Sequence, residues 1–135
     1  MTEDPAIRRR TMQAVKSKDT VPELTVRRLA HRMGYRFRLH RKDLPGKPDL
    51  AFPKLHKALF VHGCFWHGHN CARGARVPVQ NRDYWIEKIA GNKERDIRAR
   101  AALKAIGWGS LALWECQLKD ADAARNIIRR FLESD

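Results

Sequence analysis

Nowhere in the 135 residues do about 18 apolar residues run together, so the sequence offers no membrane-spanning helix. The first residues, MTEDPAIRRR, also have no apolar stretch of the kind a secretion signal uses, and the expectation is a soluble, intracellular protein. Cysteine is scarce: there are three, an odd number that cannot pair completely, which argues against a disulfide framework. Acidic residues are few. Fifteen Asp and Glu face 28 Lys and Arg, giving a net charge of +13 and a pI near 10.4, which points away from acidic-surface functions and toward a polyanionic partner, nucleic acid first. No repeat, low-complexity tract or linker divides the chain, and its length suits one domain.

The basic excess is uneven. Residues 1 to 48 hold 13 Lys and Arg against five Asp and Glu, and residues 1–19 read as a basic arm with a helical turn around Thr11 to Val15. Residues 20–135 read as a single domain. Thr20 and Glu23 have capping-box spacing, Pro22 fits a first turn, and Val26, Leu29, Ala30 and Met33 recur at helical period, predicting a helix over 21–33. Tyr35, Phe37 and Leu39 alternate with Arg36, Arg38 and His40 as in a half-buried strand. After the turn LPGKP, the runs at 49–52 and 57–63 predict a hairpin. A long helix follows, capped by Asn81 or Asp83, with Ile86, Ile89, Ile97 and Ala101 on one face and Gly107 at its end. WGSLALWEC predicts a strand ending at Cys116. A last helix from about Asp120 is expected to bury Ala124, Ile127, Ile128 and Phe131. The order implies an α/β domain, a mixed sheet with helices on both faces.

Chemistry concentrates in VHGCFWHGHNC, residues 61–71. Cys64, Cys71 and Cys116 need one more ligand for a closed tetrahedral zinc site, and spacing leaves both His67 and His69 open for that place. Buried inert cysteine is the plainer alternative, although it is uncommon in a loop of Gly, His and Asn. Asp49 follows a rigid turn and heads the hairpin whose other strand leads into this cluster. A carboxylate and an imidazole can therefore meet at one sheet edge, where a hard ion such as Mg²⁺ would find a carboxylate and the phosphate oxygens of a nucleic acid.

LPGKPDL, FVHGCFWHGHNC, YWIEKI, NKERD and GWGSLALWEC, in that order, together resemble the very short patch repair (Vsr) endonucleases, small bacterial enzymes that nick DNA beside a T opposite G. The resemblance spans roughly residues 8 to 117 and implies a restriction-endonuclease-like core with structural zinc. It implies that Asp49 and the backbone carbonyl of Val61 hold catalytic Mg²⁺, that His67 is the catalytic histidine with Asp96 orienting it, and that Glu23 lies near the metal waters. Cys64, His69, Cys71 and Cys116 are then the zinc ligands. Phe65, Trp66, Trp85 and Met12 are the wedges entering a T:G duplex, which opens most easily at a mispair. Arg8, Arg9 and Arg10 are assigned to phosphates. The resemblance further implies a monomer in the bacterial cytoplasm, with mismatch-repair proteins and a companion cytosine-5 methyltransferase as partners.

The sequence departs from the wider fold group in one respect: LFVHG ends without the acid and lysine found there, which leaves the work to a backbone carbonyl and His67. Three rival readings follow from the same residues. A zinc-stabilised DNA-binding module would need the cysteines but not Asp49. A zinc hydrolase or deaminase would need a zinc with an open position, and the deaminase a His-x-Glu with Cys-x-x-Cys, which is absent. A nicking or restriction-type nuclease would lack mismatch preference.

Overall fold

The chain is described by a computed structural model for residues 20–65, 67–69, 71 and 77–134. The arm, with Arg8, Arg9, Arg10, Met12 and the turn expected at Thr11 to Val15, lies outside the described residues, as does Trp66. The elements are α1 (Val21–Arg32), β1 (Arg38–Leu39), β2 (Leu50–Phe52), β3 (Lys57–His62), α2 (Arg82–Ala105), β4 (Gly109–Trp114) and α3 (Ala121–Glu133), with a 3₁₀ turn at Glu115–Lys119 between the last two.

The sheet order is β1-β2-β3-β4. The first three strands form an antiparallel meander, and β4 runs parallel to β3, with Lys57 opposite Gly109 and His62 opposite Trp114. A parallel neighbour needs a long crossover, which α2 supplies. The faces are covered separately. Val26 and Ala30 of α1 and Ile128 and Leu132 of α3 pack on Leu50, Phe52, Leu59 and Leu113, while Leu103 of α2 packs with Leu44, Ala51, Ala58 and Phe60 on the other side. The mixed α/β arrangement with helices on both faces is the one expected.

Several expectations need correcting. The strand read at 35–40 is only Arg38–Leu39; Tyr35 and Phe37 pack on Phe52, but Leu39 is exposed, because the chain turns at His40 into a left-handed conformation and the alternation stops. Asn81 precedes α2 with φ +58° and makes no side-chain cap hydrogen bond. Ile86 and Ile97 are exposed, and only Ile89 and Leu103 of α2 are buried, because much of this helix lies over no second layer. Cys116 sits in the 3₁₀ turn beyond β4. In α3 Ala124 and Ile128 are buried as expected, Leu132 is buried with them, and Ile127 and Phe131 are only half-covered, while Asp120 does cap the helix through the amides of Asp122 and Ala123.

One buried charge holds the end of the chain. Lys57, at the start of β3 and 7% exposed, donates from Nζ to the carbonyls of Phe131 (2.6 Å), Leu132 (3.2 Å) and Ser134, and to Ser134 Oγ (3.0 Å). A helix C-terminus leaves its last carbonyls short of partners; here Phe131 O also accepts from Ser134, Leu132 O is met by the ammonium, and a cation there also meets the negative end of the helix dipole. Lys57→Met keeps the aliphatic stem and removes the ammonium, so urea unfolding should show a loss of about 2 to 3 kcal/mol. An unchanged midpoint would mean that water serves these carbonyls equally well.

Candidate functional site

At the end of the hairpin, Leu50 pairs with Leu59 and the ladder stops, so the amide of Val61 has lost its strand partner. Asp49 Oδ2 accepts from that amide at 2.6 Å. A side chain thus replaces a backbone carbonyl and is fixed at the sheet edge. Glu23 arrives from α1. Its own amide donates to Thr20 Oγ1 at 3.4 Å, as capping predicts, while its carboxylate is only 3% exposed and its Oε2 lies 3.1 Å from both Arg27 and His40 Nε2. Glu23 is therefore more than a cap.

Asp49, Glu23 and His40 form a group whose ligand atoms all lie within 4.8 Å of one another. Burial pushes the Asp49 carboxyl up to about 7. The Val61 amide pulls it down, the charge and hydrogen bond of Glu23 push it further up, and Arg27 offsets part of this. Two carboxyls so close and so dry repel one another when both are charged, and a bound cation relieves that repulsion. Hard oxygen donors with one imidazole suit a small divalent ion, so the residues fit the metal that the family resemblance implies.

His62, the last residue of β3, opens a second cluster on the α2 side. His67 Nδ1 lies 2.6 Å from Asp96 Oδ2, and His62 Nε2 lies 3.7 Å from Asp96 Oδ1. The two imidazoles stack at 3.9 Å with planes 4° apart. Desolvation lowers the His62 pKa to about 4, and the charges of His67 and Arg100 act in the same direction against Asp96, so His62 is neutral near pH 7. Among the described residues its Nδ1 is buried without a hydrogen-bond partner. The loop that carries His67 turns through Gly68, whose φ is +62° and where an added Cβ would meet Lys93 and come within 2.6 Å of Ile89 Cγ2. Glycine therefore lets this loop lie directly on α2, where Asp96 is.

The third cluster joins Cys64, His69, Cys71 and Cys116, again with all ligand atoms within 4.8 Å. None of the three cysteines is in a disulfide. Cys64 is fully buried, and desolvation, opposed by the Cys116 backbone amide and reinforced by side-chain hydrogen bonds to Cys116 and Cys71, pushes its thiol up to about 12. His69 Nδ1 lies 3.6 Å from Cys116 Sγ and its ring stacks on Trp114 at 4.2 Å. Glu115 accepts from the Cys64 amide at 3.1 Å and draws the 3₁₀ turn against the loop. Three thiols and an imidazole converging without a disulfide fit a closed, soft-ligand metal site.

Aromatic residues gather beside these clusters. Phe65 and Trp85 meet edge to face at 5.4 Å, and Tyr84 meets Trp85 at 5.1 Å with more than half of its surface exposed. Trp85 is half-buried at the start of α2 rather than in the core. Sequence reasoning does not single out His40, His62, Glu115 or Tyr84. His62 lies in an apolar strand run and His40 in an alternating one, so neither stands out by composition; Glu115, adjacent to Cys116, is the most readable signal.

The family model described as DNA mismatch endonuclease Vsr matches residues 2–73. The chain is 53% identical over 129 residues to the type II nicking enzyme V.XorIIP of Xanthomonas oryzae pv. oryzae, covering 96% of this chain and 94% of that one. It is 40% identical to the type II nicking enzyme V.NmeAIP of Neisseria meningitidis, covering 90% and 86%, and 39% identical to the DNA mismatch endonuclease Vsr of Escherichia coli, covering 86% and 74%.

Proposed function

The chain belongs to the Vsr family of DNA mismatch endonucleases, and from that premise we propose that it nicks one strand of duplex DNA beside the T of a T:G mismatch, with Mg²⁺ at Asp49 and structural zinc at Cys64, His69, Cys71 and Cys116. The observation that carries the reading is the end of β3. There a buried carboxylate pair, Asp49 with Glu23, and an oriented imidazole, His67 on Asp96, flank two consecutive residues, Val61 and His62. The restriction-endonuclease-like core, one domain over 20–135 with a DNA-contacting arm over 1–19, belongs to the same proposal.

In this reading Asp49 and the Val61 carbonyl would hold the ion, with Glu23 and His40 of the same cluster beside it. When bound, the ion supplies positive charge against the phosphate and the leaving 3′ oxygen. His67 Nε2 takes a proton from the attacking water while Asp96 fixes Nδ1 and hence the ring's orientation. His62, stacked on His67 and neutral, keeps that ring in plane without adding a second charge. Phe65, Trp66, Trp85 and Met12 probe the duplex for a step that opens easily, and Arg8, Arg9 and Arg10 neutralise phosphates without regard to sequence.

A second reading is favoured by the relatives that are named type II nicking enzymes: strand nicking without a mismatch requirement. Incubating the protein and Mg²⁺ with otherwise identical T:G and T:A duplexes separates the two. The expected result is a nick in the T:G duplex alone, at least a hundredfold faster than in the matched one. Equal nicking of both would establish the second reading.

A further inference from the structure

Between α2 and β4 lies an open cleft of about 990 Å³ that runs from His67 and Trp114 at one end to Trp108 at the other. It exists because of what β4 carries. Leu113 points into the core shared with α1 and α3, whereas Ser110 and Ala112, toward α2, are too small to fill the layer. Ile97 of α2, 70% exposed, consequently faces the cleft instead of a core.

The helical wall is basic. Lys93, Ile97, Arg100 and Lys104 recur at helical spacing, a stripe of about 16 Å at 1.5 Å per residue. Arg100 is moored to the floor, donating to Ser110 Oγ at 3.1 Å, and Asp96, the sole acid lining the cleft among the described residues, is taken by His67. A row of cations with an apolar side chain between them, and an indole at each end, matches a chain that alternates anionic and flat aromatic parts. An acidic peptide would satisfy the cations alone.

We propose that this cleft binds single-stranded DNA and receives the strand freed at the nick. Its direction follows from α2: on the proposed reading Trp85, at the start of the helix, meets the duplex, and the cleft begins eight residues further on at Lys93, alongside His67, and leads away from Trp85. A strand that enters has left the duplex. The orientation rests on the reading of His67 and Asp96 as the place of cutting; the affinity for single strands does not.

The test uses the full chain and a fluorescently labelled short oligo-dT, followed by anisotropy across a salt series. The parent should bind. The variant carrying Lys93→Gln, Arg100→Gln and Lys104→Gln should bind at least tenfold more weakly, with a salt slope flatter by roughly 0.7 for each phosphate that is no longer neutralised. A variant with Lys93→Arg and Lys104→Arg should keep parental binding, and thermal melts should confirm that all three are folded. Labelled nicked T:G product should also dissociate faster from the Gln variant than from the parent. Oligo-dT binding that is undetectable, or unchanged in the Gln variant, overturns the proposal, as does its displacement by polyglutamate as readily as by unlabelled oligo-dT. If the parent binds oligo-dT through these residues yet nicks no mismatch, the channel stands and the proposed function falls.

Discussion

Replacing Asp49 with Asn is expected to lower the nicking rate about a thousandfold or more, since the charge it helps hold is worth several kcal/mol to the transition state at 1.36 kcal/mol per tenfold. Duplex binding should change little, because Asn keeps the shape and the amide of Val61 still has an oxygen to meet. The same substitution should alter stability in the opposite sense. The Asp49 carboxyl sits at about 7 in the folded protein against an ordinary 3.8, so the folded state holds a proton that the unfolded state gives up between those values. The contribution of this group to stability is therefore full below about pH 4 and is lost as pH rises through 7, the direction set by a group that binds more protons when folded. In magnesium-free buffer the parent should lose stability between pH 5 and pH 8 by more than Asp49→Asn does. Undiminished nicking by the variant would dismiss the assigned metal site, and parallel pH profiles would dismiss the buried carboxyl pair.

Protein purified without chelator should contain one equivalent of zinc, and Cys116→Ala should lose it. Closed thiolate sites contribute apparent binding free energies on the order of 10 kcal/mol to folding, so losing one ligand should cost several kcal/mol, a fall in Tm of about 10 °C or more at this chain length. The geometry says which parts should fail first. Cys64 and His69 hold the loop that bears Phe65 and His67, and Cys116 ties that loop to the turn after β4. Elemental analysis with thermal melts checks both halves. Zinc-free protein, or a Cys116→Ala melt that matches the parent, would return the cysteines to the role of ordinary buried side chains.

Local signals in the sequence are enough for some parts of this molecule. α1 and α3 bury one stripe each and begin at a Thr and an Asp that accept from the first-turn amides, so period and cap agree. The hairpin is legible because two apolar runs flank a turn. The existence of α2 is legible but its buried face is not, since Ile86 and Ile97 repeat as core residues would while the structure gives them no layer to enter. Composition narrows the partner of Cys64, Cys71 and Cys116 to two histidines, and family resemblance is needed to choose His69. The pairing of His67 with Asp96 comes from resemblance alone. Twenty-nine positions separate them, and only the crossover of α2 back over the sheet brings them together. His40 and His62 stay hidden because a polar residue within a strand pattern carries no sign of which way its environment will turn it.

The parallel pairing of β3 with β4 sets an order of assembly for a chain made from its N-terminus. Asp49, His62 and His67 are all synthesised while β3 still has one open edge, and the strand that closes it begins only at Gly109. Asp96 precedes that strand by little more than three helical turns, and Cys116 follows it directly. An interrupted chain that stops before β4 thus contains the carboxylate and both imidazoles but neither the parallel pairing that brings α2 back across the sheet nor the last cysteine of the cluster. The site is therefore complete only once β4 and the turn that follows it are in place.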